Sequence, residues 1–459
     1  MSETTSVASL SQPTMLYGLD DRPNFFTSLL VGFQHVLAVF GGILTAPLIM
    51  AMGMGLSVRD TSYLVSSALL ISGVATLLQI QRFGIVGSGL LSIQGTSFSF
   101  IGPTIAAFYV LGGADNPGDA LGTLFGSAAV CSMIMVALSF GLPRLGNIIT
   151  PNVTGATVML LGATLVWTTF TNIQRVYVGA DPGDGWQVIL LSSIVFFTIV
   201  IIARSGNAWL KLSSITVGLL IGYITAFALG MVDFSLLSEL DNLFVPQIAR
   251  YPLNVDWRAV AMLLPIFIIS MMESVGDLTA TSSLSGLATR GKSYWTRMKG
   301  GVLGDALNSL MASVFCTFPN TTFSQNNGVI QLTGVCSRYV GFFVAGLLVL
   351  LGFFPIVGGI FQVMPEPVLH GATLLMFSMV AYSGFRIVKT GSPQHNDWLV
   401  VAVSIIGGIV ASLLVDQASF LPSGLITVIQ FPVTTGAVIA LLIESARFVI
   451  RRSENEWAE

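Results

Sequence analysis

The stretch TFPNTTFSQNNGVIQLTG, residues 317–334, is a polar, helix-averse segment inside a long apolar region. It combines proline and glycine breaks with three Asn, two Gln and several hydroxyl side chains. Non-helical backbone at membrane depth costs roughly several kcal/mol for each unpaired N–H or C=O group, so it persists only against protein or a polar cavity. The segment therefore predicts either part of a buried binding site or a re-entrant loop that merely packs.

The composition around this stretch is that of a membrane protein. Of 459 residues, 53% are hydrophobic and only 9% are charged, whereas a soluble chain carries roughly a quarter charged residues. The apolar residues form runs of about 18 to 25, the length that crosses a bilayer as a helix. The sequence predicts an all-α polytopic protein with the lipid bilayer as its partner, and it shows no basic patch suited to nucleic acid.

Fourteen segments fit the membrane, twelve of them ordinary spans and two interrupted. The interrupted segments lie near 88–110 and 318–336, apolar at their ends and polar in the middle. We place the ordinary spans near 27–50, 61–80, 120–140, 152–170, 187–204, 213–232, 258–277, 298–316, 339–358, 366–388, 396–415 and 430–450.

The two interrupted segments resemble each other. TSFS at 96–99 aligns with TTFS at 321–324, and each segment is the third of a set of seven. Because seven is odd, the second set would enter the membrane from the opposite face. That is the pattern of a 7+7 inverted repeat, in which paired broken segments meet around a substrate. The β-favouring runs in both segments suggest two short crossing strands, each followed by a half-helix.

The basic residues predict the orientation. With the N-terminus inside, fifteen of the nineteen Lys and Arg residues lie on the cytoplasmic side and four on the other. This positive-inside bias places both termini in the cytoplasm. The polar first two dozen residues show no signal-peptide pattern, so we expect none. The three cysteines have no metal-ligand spacing and are interpreted as packing residues.

Four ionisable side chains lie within predicted spans: Glu273, Asp277, Asp305 and His35. A charge at that depth costs at least about 2.5–3.5 kcal/mol on insertion scales, so each is a functional candidate. Glu273 and Asp277 are four residues apart and share one helix face. Each of the four can also be explained as a structural hydrogen-bond partner.

The polar residues of the opening stretch suit a planar ligand. Gln325 and Asn326 each offer a donor and an acceptor in one plane, which matches a heterocycle with alternating N–H and C=O groups. Glu273, if ionised, could accept N–H bonds from the same ring, and Phe98 and Phe323 could supply apolar faces. A carboxyl group in a dry site can exchange protons near neutral pH, which favours proton-coupled uptake.

At this point the residues resemble a known family, the nucleobase–ascorbate transporters. QNNGVIQLTG at 325–334 fits the signature of that family, and QH at 34–35 is similar to its first-helix motif. The resemblance covers essentially the whole chain after residue 18. Within the family, the sequence is most similar to the bacterial xanthine/uric acid permease branch. Further matching motifs are GIVGSGLLSIQGTSFSF at 84–100, GDLTATS at 276–282, KGGVLGDALNS at 299–309 and PVLHGATLLMFSMVA at 367–381.

This resemblance implies fourteen spans in a core and a gate domain that move against each other like an elevator. It implies a homodimer in the bacterial inner membrane that imports xanthine and/or uric acid by proton symport, with Na⁺ as the alternative ion. The expected domains are 1–145 (core, first half), 146–257 (gate, first half), 258–362 (core, second half) and 363–459 (gate, second half, with a cytoplasmic tail).

The resemblance also implies roles for individual residues. Glu273 corresponds to the binding carboxylate and Gln325 to the purine-binding carboxamide, while main chain near Phe98 would contact the ligand. Ser97 stands where some xanthine-selective relatives carry the bulkier Asn, so it could leave room for the extra oxygen of uric acid. The polar positions implied for coupling or site geometry are Asp277, Asp305, Asn326 and His35.

The sequence is also compatible with other functions. The Gly-Asp pairs at 276–277 and 304–305 lack the rest of an aspartyl intramembrane protease motif, and His-Glu-x-x-His is absent from the sequence. We therefore expect no enzyme, cofactor or metal. Uracil is the nearest rival substrate. An anion carrier on the same architecture is a further alternative, although it would need a cation where this chain has Glu273.

Overall fold

The computed structural model of the protein describes residues 15–145, 150–179, 184–390, 395–417, 426 and 429–458. Most of them are helical. The α-helices of these residues are α1 Phe25–Gly53, α2 Val58–Gln81, α3 Ile101–Val110, α4 Pro117–Phe140, α5 Leu142–Leu145, α6 Pro151–Gly179, α7 Gly185–Ala203, α8 Ala208–Leu212, α9 Ser214–Ala228, α10 Trp257–Leu284, α11 Gly291–Val314, α12 Gln325–Thr333, α13 Arg338–Gly352, α14 Pro355–Gln362, α15 Glu366–Thr390, α16 His395–Leu414 and α17 Pro432–Ala458. Short 3₁₀ segments occupy Phe98–Phe100, Phe234–Glu239 and Val415–Gln417.

These helices make the protein a multi-pass membrane protein. Within the described part of the chain, nine helices are long and apolar enough to cross a bilayer, or ten if α13 and α14 count as one broken span. The prediction of a polytopic helical protein is therefore confirmed. Fourteen crossings in a 7+7 repeat stay a prediction.

Two predicted spans differ from the structure. The span near 339–358 bends by 73° between α13 and α14. The bend falls before Pro355, which lacks a backbone N–H and is suited to start a new helix. The span near 213–232 is helical only over α9, because the chain turns at Gly230, whose φ of +70° is left-handed. The predicted domain boundary after residue 145 borders residues 146–149, which lie outside the described residues.

Several helices begin at side chains that satisfy their first free N–H groups. Asn24 caps α1 by accepting from Thr27 N, and Ser57 caps α2 by accepting from Asp60 N. Asp256 does the same for Arg258 N at the start of α10. These are the residue types preferred at such positions, so the starts of these helices follow from local sequence.

The interrupted segments each contain a three-residue strand. β1, Gln94–Thr96, pairs antiparallel with β2, Asn320–Thr322, and Gly95 lies opposite Thr321. Beyond the strands, Ser97 N donates to Pro319 O (3.1 Å) and Phe323 N donates to Ile93 O (3.0 Å). The two non-helical stretches thus pair several of each other's backbone N–H and C=O groups.

The helices around the strand pair come from both halves of the chain. α2 packs on α13 and α4 packs on α11, whereas α6 packs on α15 and α17. Cys131, Cys316 and Cys336 are free and buried, as expected for packing residues. The strand pair contacts α1, α2, α10 and α11. It therefore lies among the helices that include α2 and α11, and not in the group formed by α6, α15 and α17.

Candidate functional site

Helix α10 presents two carboxylates to the strand pair. Ser99 Oγ donates to both oxygens of Glu273, at 3.1 and 3.0 Å. One turn later, Thr322 Oγ1 donates to Asp277 Oδ2 at 3.2 Å. Glu273 is therefore bonded to the segment after β1 and Asp277 to β2, so a single helix face contacts both interrupted segments.

Asp305, on α11, lies at the contact between α11 and α2. It is buried, and Gln79 Nε2 donates to its Oδ1. The same Gln79 nitrogen donates to Gly301 O (2.8 Å), and its Oε1 accepts from Ser88 N (3.0 Å). Ser274 flanks the Asp305 carboxylate from the α10 side. Gln79 thus joins Asp305 to α2 and to the turn that precedes β1.

The predicted aromatic residues meet at the strand pair. The rings of Phe98 and Phe323 have centroids 6.3 Å apart, and Phe98 also meets Phe377 of α15 edge-on at 5.5 Å. A Cβ added to Gly42 or to Gly95 would come within 2.6 Å of the Phe323 ring. Only glycine leaves room there, so these two positions fix where the ring lies.

The two carboxamides at the start of α12 differ in their surroundings. Gln325 is half-buried, whereas Asn326 is buried and its Nδ2 donates to Leu91 O at 2.5 Å. The imidazole of His35, on α1, is fully buried beside Asn326. Asn326 and His35 therefore connect α1, α12 and the residues just before β1. The side chain of Gln325, by contrast, remains partly exposed.

Ser97 is also buried, and its hydroxyl is used locally. Its Oγ accepts from Ser99 N at 3.2 Å and so caps the 3₁₀ turn that carries Ser99. This arrangement ties Ser97 to the hydroxyl that bonds Glu273. The structure therefore brings Ser97, Phe98 and Glu273 together through one short turn.

Open space lies along one face of α10 and one face of α12. Gly276, one turn after Glu273, is exposed, and a Cβ there would meet no atom within 4 Å. The same holds for the space beside Gly328, one turn after Gln325. The two helices are joined on another face by Thr281 Oγ1, which donates to Asn327 Oδ1 at 2.7 Å. Glu273 and Gln325 are themselves half-buried, so a carboxylate and a carboxamide are partly accessible on neighbouring helices.

The sequence matches a known family over most of its length. The family model Xan_ur_permease, described as a permease family, matches residues 26–417. Xanthine permease XanP of Escherichia coli is 39% identical over 444 residues, which cover 95% of each chain. Xanthine permease XanQ of the same organism is 37% identical over 437 residues, 94% of this chain and 93% of the relative.

The chain belongs to this permease family. Its relatives are transporters, so the permease is not an enzyme, and the resemblance predicted from its motifs is confirmed.

Solved structures agree on the fold of the permease. The transmembrane domain of the cyanobacterial bicarbonate transporter BicA has a TM-score of 0.55 at 17% identity, covering 92% of this chain and 99% of that one. Murine Slc26a9, an anion transporter in the inward-facing state, has a TM-score of 0.64 at 12% identity, covering 94% of this chain and 69% of that one. At these identities the likeness concerns the fold alone.

Some residues that contact the site were not singled out from the sequence of the permease. Gln79 and Ser99 bond two of the predicted carboxylates, and Phe377 packs on Phe98. Gln79 was detectable as a carboxamide inside the apolar span predicted at 61–80, whereas Phe377 is one of thirty phenylalanines and gave no signal. Within the described ranges, no group of three or more His, Cys, Asp or Glu side chains could hold a metal ion.

Proposed function

We propose that this permease imports oxidised purines, xanthine and/or uric acid, by proton symport. The observation that carries the proposal is the position of Glu273, whose carboxylate is bonded to Ser99 beside the Phe98–Phe323 pair. A purine presents N–H groups to a carboxylate, alternating donors and acceptors to a carboxamide such as Gln325, and apolar faces to aromatic rings. Relatives named as xanthine permeases support the same substrate class.

In this proposal the ligand lies between the two interrupted segments. Glu273 accepts N–H bonds from the purine, and Gln325 bonds its edge bidentately. Phe98 and Phe323 flank the ring, while Ser97 and Asn326 set the shape of the site through the bonds that hold the turn after β1 and the start of α12. A buried site of this kind is selective because an analogue lacking a partner leaves polar groups unpaired.

Proton coupling is assigned to the same ionisable residues. Glu273 and Asp277 share one face of α10, and Asp305 lies behind them with Gln79. Protonation of Glu273 changes which purine atoms it can bond, which would link occupancy by the proton to occupancy by the substrate. His35 supports the site through its position beside Asn326.

The larger architecture of the proposal is an elevator. Residues 1–145 and 258–362 form the core, residues 146–257 and 363–459 form the gate, and two copies associate through the gate. Fourteen crossings put both termini on the same side, and the bias of the basic residues makes that side the cytoplasm of a bacterium, with the protein in its inner membrane. The separate packing of α2 with α13 and of α6 with α15 supports this division.

The test is uptake of labelled xanthine by cells that express the protein, with and without a protonophore. Uptake that the protonophore abolishes and that excess unlabelled uric acid blocks would support proton–purine symport. Uptake that responds to a sodium gradient instead would replace the proton with Na⁺. If the protein reaches the membrane and takes up no xanthine, the substrate assignment fails.

The two remaining alternatives are separated by further arms of the same experiment. Uracil is supplied as a labelled substrate and as a competitor, and preferential uracil uptake would overturn the purine assignment. For an anion carrier, Glu273→Gln should spare or improve transport, because the substitution removes a negative charge from the site. For a purine symporter the same variant should lose uptake.

A further inference from the structure

Residues 16–21, which we name the strap, run beside the turn that joins α12 to α13. The strap forms a parallel bridge between Tyr17 and Val335. Its backbone and the backbone of that turn, residues 334–338, exchange hydrogen bonds along the whole contact. The bonds run from Leu16 N to Gly334 O (2.8 Å), from Tyr17 N to Gly334 O (3.3 Å), from Cys336 N to Tyr17 O (2.9 Å) and from Arg338 N to Leu19 O (3.0 Å).

Side chains reinforce the same contact. Ser337 Oγ donates to Asp21 O at 2.6 Å, and the Arg338 guanidinium pairs with the carboxylate of Asp20. The side chain of Tyr17 packs against the hydrophobic cluster that contains Phe323. The strap is therefore attached by backbone, charge and apolar contact to one short turn.

That turn depends on the strap for its hydrogen bonds. Val335, Cys336 and Ser337 are buried, at 3%, 1% and 0% exposed. The N–H of Cys336 and the C=O of Gly334 find their partners on the strap. A buried backbone group left without a partner costs about 1–3 kcal/mol, so removing the strap would force the turn to open or to shift.

Residues 334–338 also contact the C-terminal ends of α12 and α10, the two helices that carry Gln325 and Glu273. The turn caps α12 at Gly334, and α12 is only nine residues long, about 13 Å from this cap to Gln325. Cys336 Sγ also lies 3.3 Å from Leu284 O, at the last residue of α10. Because a short helix moves as a rigid body, a shift at the turn would reach Gln325 and change its spacing from Glu273.

We propose that the strap is a positioning element for the substrate site, acting from the far ends of α12 and α10 on the spacing between Gln325 and Glu273. This inference rests on the proposed function for its transport readout. Loss of the strap should weaken and broaden purine recognition, while the chemistry of the site residues themselves stays unchanged.

The test compares Leu16→Pro with Leu16→Ala in the full chain. Proline removes the N–H that makes the shorter of the two strap bonds to Gly334 O, whereas alanine keeps it and changes only a side chain that is 68% exposed. A chain that starts at Met15 keeps the strap and serves as a length control for a chain that starts at Arg22 behind a new Met.

The main readout is transport at matched amounts of protein in the membrane. For Leu16→Pro and for the chain without the strap, KM for labelled xanthine should rise about tenfold and the ratio of inhibition constants among purines should flatten. Leu16→Ala and the Met15 chain should match the full chain. If only the amount of protein falls, with KM and selectivity unchanged, the strap merely stabilises the fold and the proposal is wrong.

A second readout does not depend on the substrate. Hydrogen–deuterium exchange of the α12 amides in purified protein should be faster in Leu16→Pro than in Leu16→Ala, and exchange in α4 should be equal in both. If the full chain transports no xanthine, the proposed function fails while this comparison still decides the strap. Unchanged exchange in α12 would overturn the strap proposal by itself.

Discussion

The hydroxyl of Ser99 lies 3.1 and 3.0 Å from the two carboxylate oxygens of Glu273, so the first interrupted segment and α10 meet at a single carboxylate. A hydrogen bond to a charged group contributes about 1.5–3 kcal/mol. We expect Ser99→Ala to raise KM for xanthine about tenfold or more with normal membrane abundance, measured by uptake at several substrate concentrations. Glu273→Gln should lose uptake more severely, because it removes the acceptor for the ligand as well.

A matched control for this prediction is Ser132→Ala. Ser132 is also buried and helical, but its hydroxyl bonds Ala128 O within its own helix, α4. KM should be unchanged in this variant. Equal KM values for Ser99→Ala and Ser132→Ala would mean that the bond to Glu273 does not serve binding.

The buried carboxamide Gln79 should be important for stability. It bonds Asp305, Gly301 O and Ser88 N, so Gln79→Leu leaves the buried N–H of Ser88 without this partner and removes a donor from the Asp305 carboxylate. A buried polar group left without a partner costs about 1–3 kcal/mol. We expect a clearly lower melting temperature of the purified protein. Because Gln79 and Asp305 are in contact, their effects should not add, and Gln79→Leu should cost less in an Asp305→Asn background. Additive losses would argue against a shared network.

The position of the Phe323 ring predicts that glycine is required at Gly95. A Cβ there would lie 2.6 Å from the ring, so Gly95→Ala must displace Phe323 and with it the surface facing Phe98. We expect uptake of xanthine to fall at least roughly tenfold, since overpacking of this kind costs typically 1–3 kcal/mol. Gly118→Ala is the control, because open space surrounds that position at the start of α4. Normal uptake by Gly95→Ala would show that the ring position is not critical.

The sequence predicted the location of the unusual backbone better than its contacts. The polar break in residues 317–334 pointed to β2 and α12, since a stretch without helical hydrogen bonds must find partners elsewhere. It could not predict that Gln79 bonds Asp305, because that bond joins residues 226 positions apart. The span near 339–358 was predicted as one helix because hydropathy does not register the bend before Pro355.

The site residues also fall into those that the sequence could reveal and those that only the fold reveals. Glu273, Asp277 and Asp305 were detectable because charge is rare in apolar helices. Ser99 and Phe377 belong to residue types that are common in such helices, so only the fold reveals that they contact Glu273 and Phe98. The strap had no signal in the sequence, because backbone hydrogen bonds carry no side-chain signature.

The ion pairs of Arg447 provide a last prediction, on the stability of the bundle formed by α6, α16 and α17. Arg447 Nη1 lies 2.9 Å from carboxylate oxygens of both Asp397 and Glu444, and Asn152 Nδ2 lies 3.1 Å from the same two groups. Glu444 is only 5% exposed, whereas the side chain of Arg447 is 22% exposed, so losing this partner should cost less than the about 3–5 kcal/mol typical of a fully buried pair. Arg447→Ala should still lower the melting temperature clearly. Arg258→Ala is the control, because its guanidinium is 63% exposed and such pairs contribute about 0–1 kcal/mol. Equal melting temperatures for the two variants would mean that the pairs of Arg447 do not stabilise the bundle.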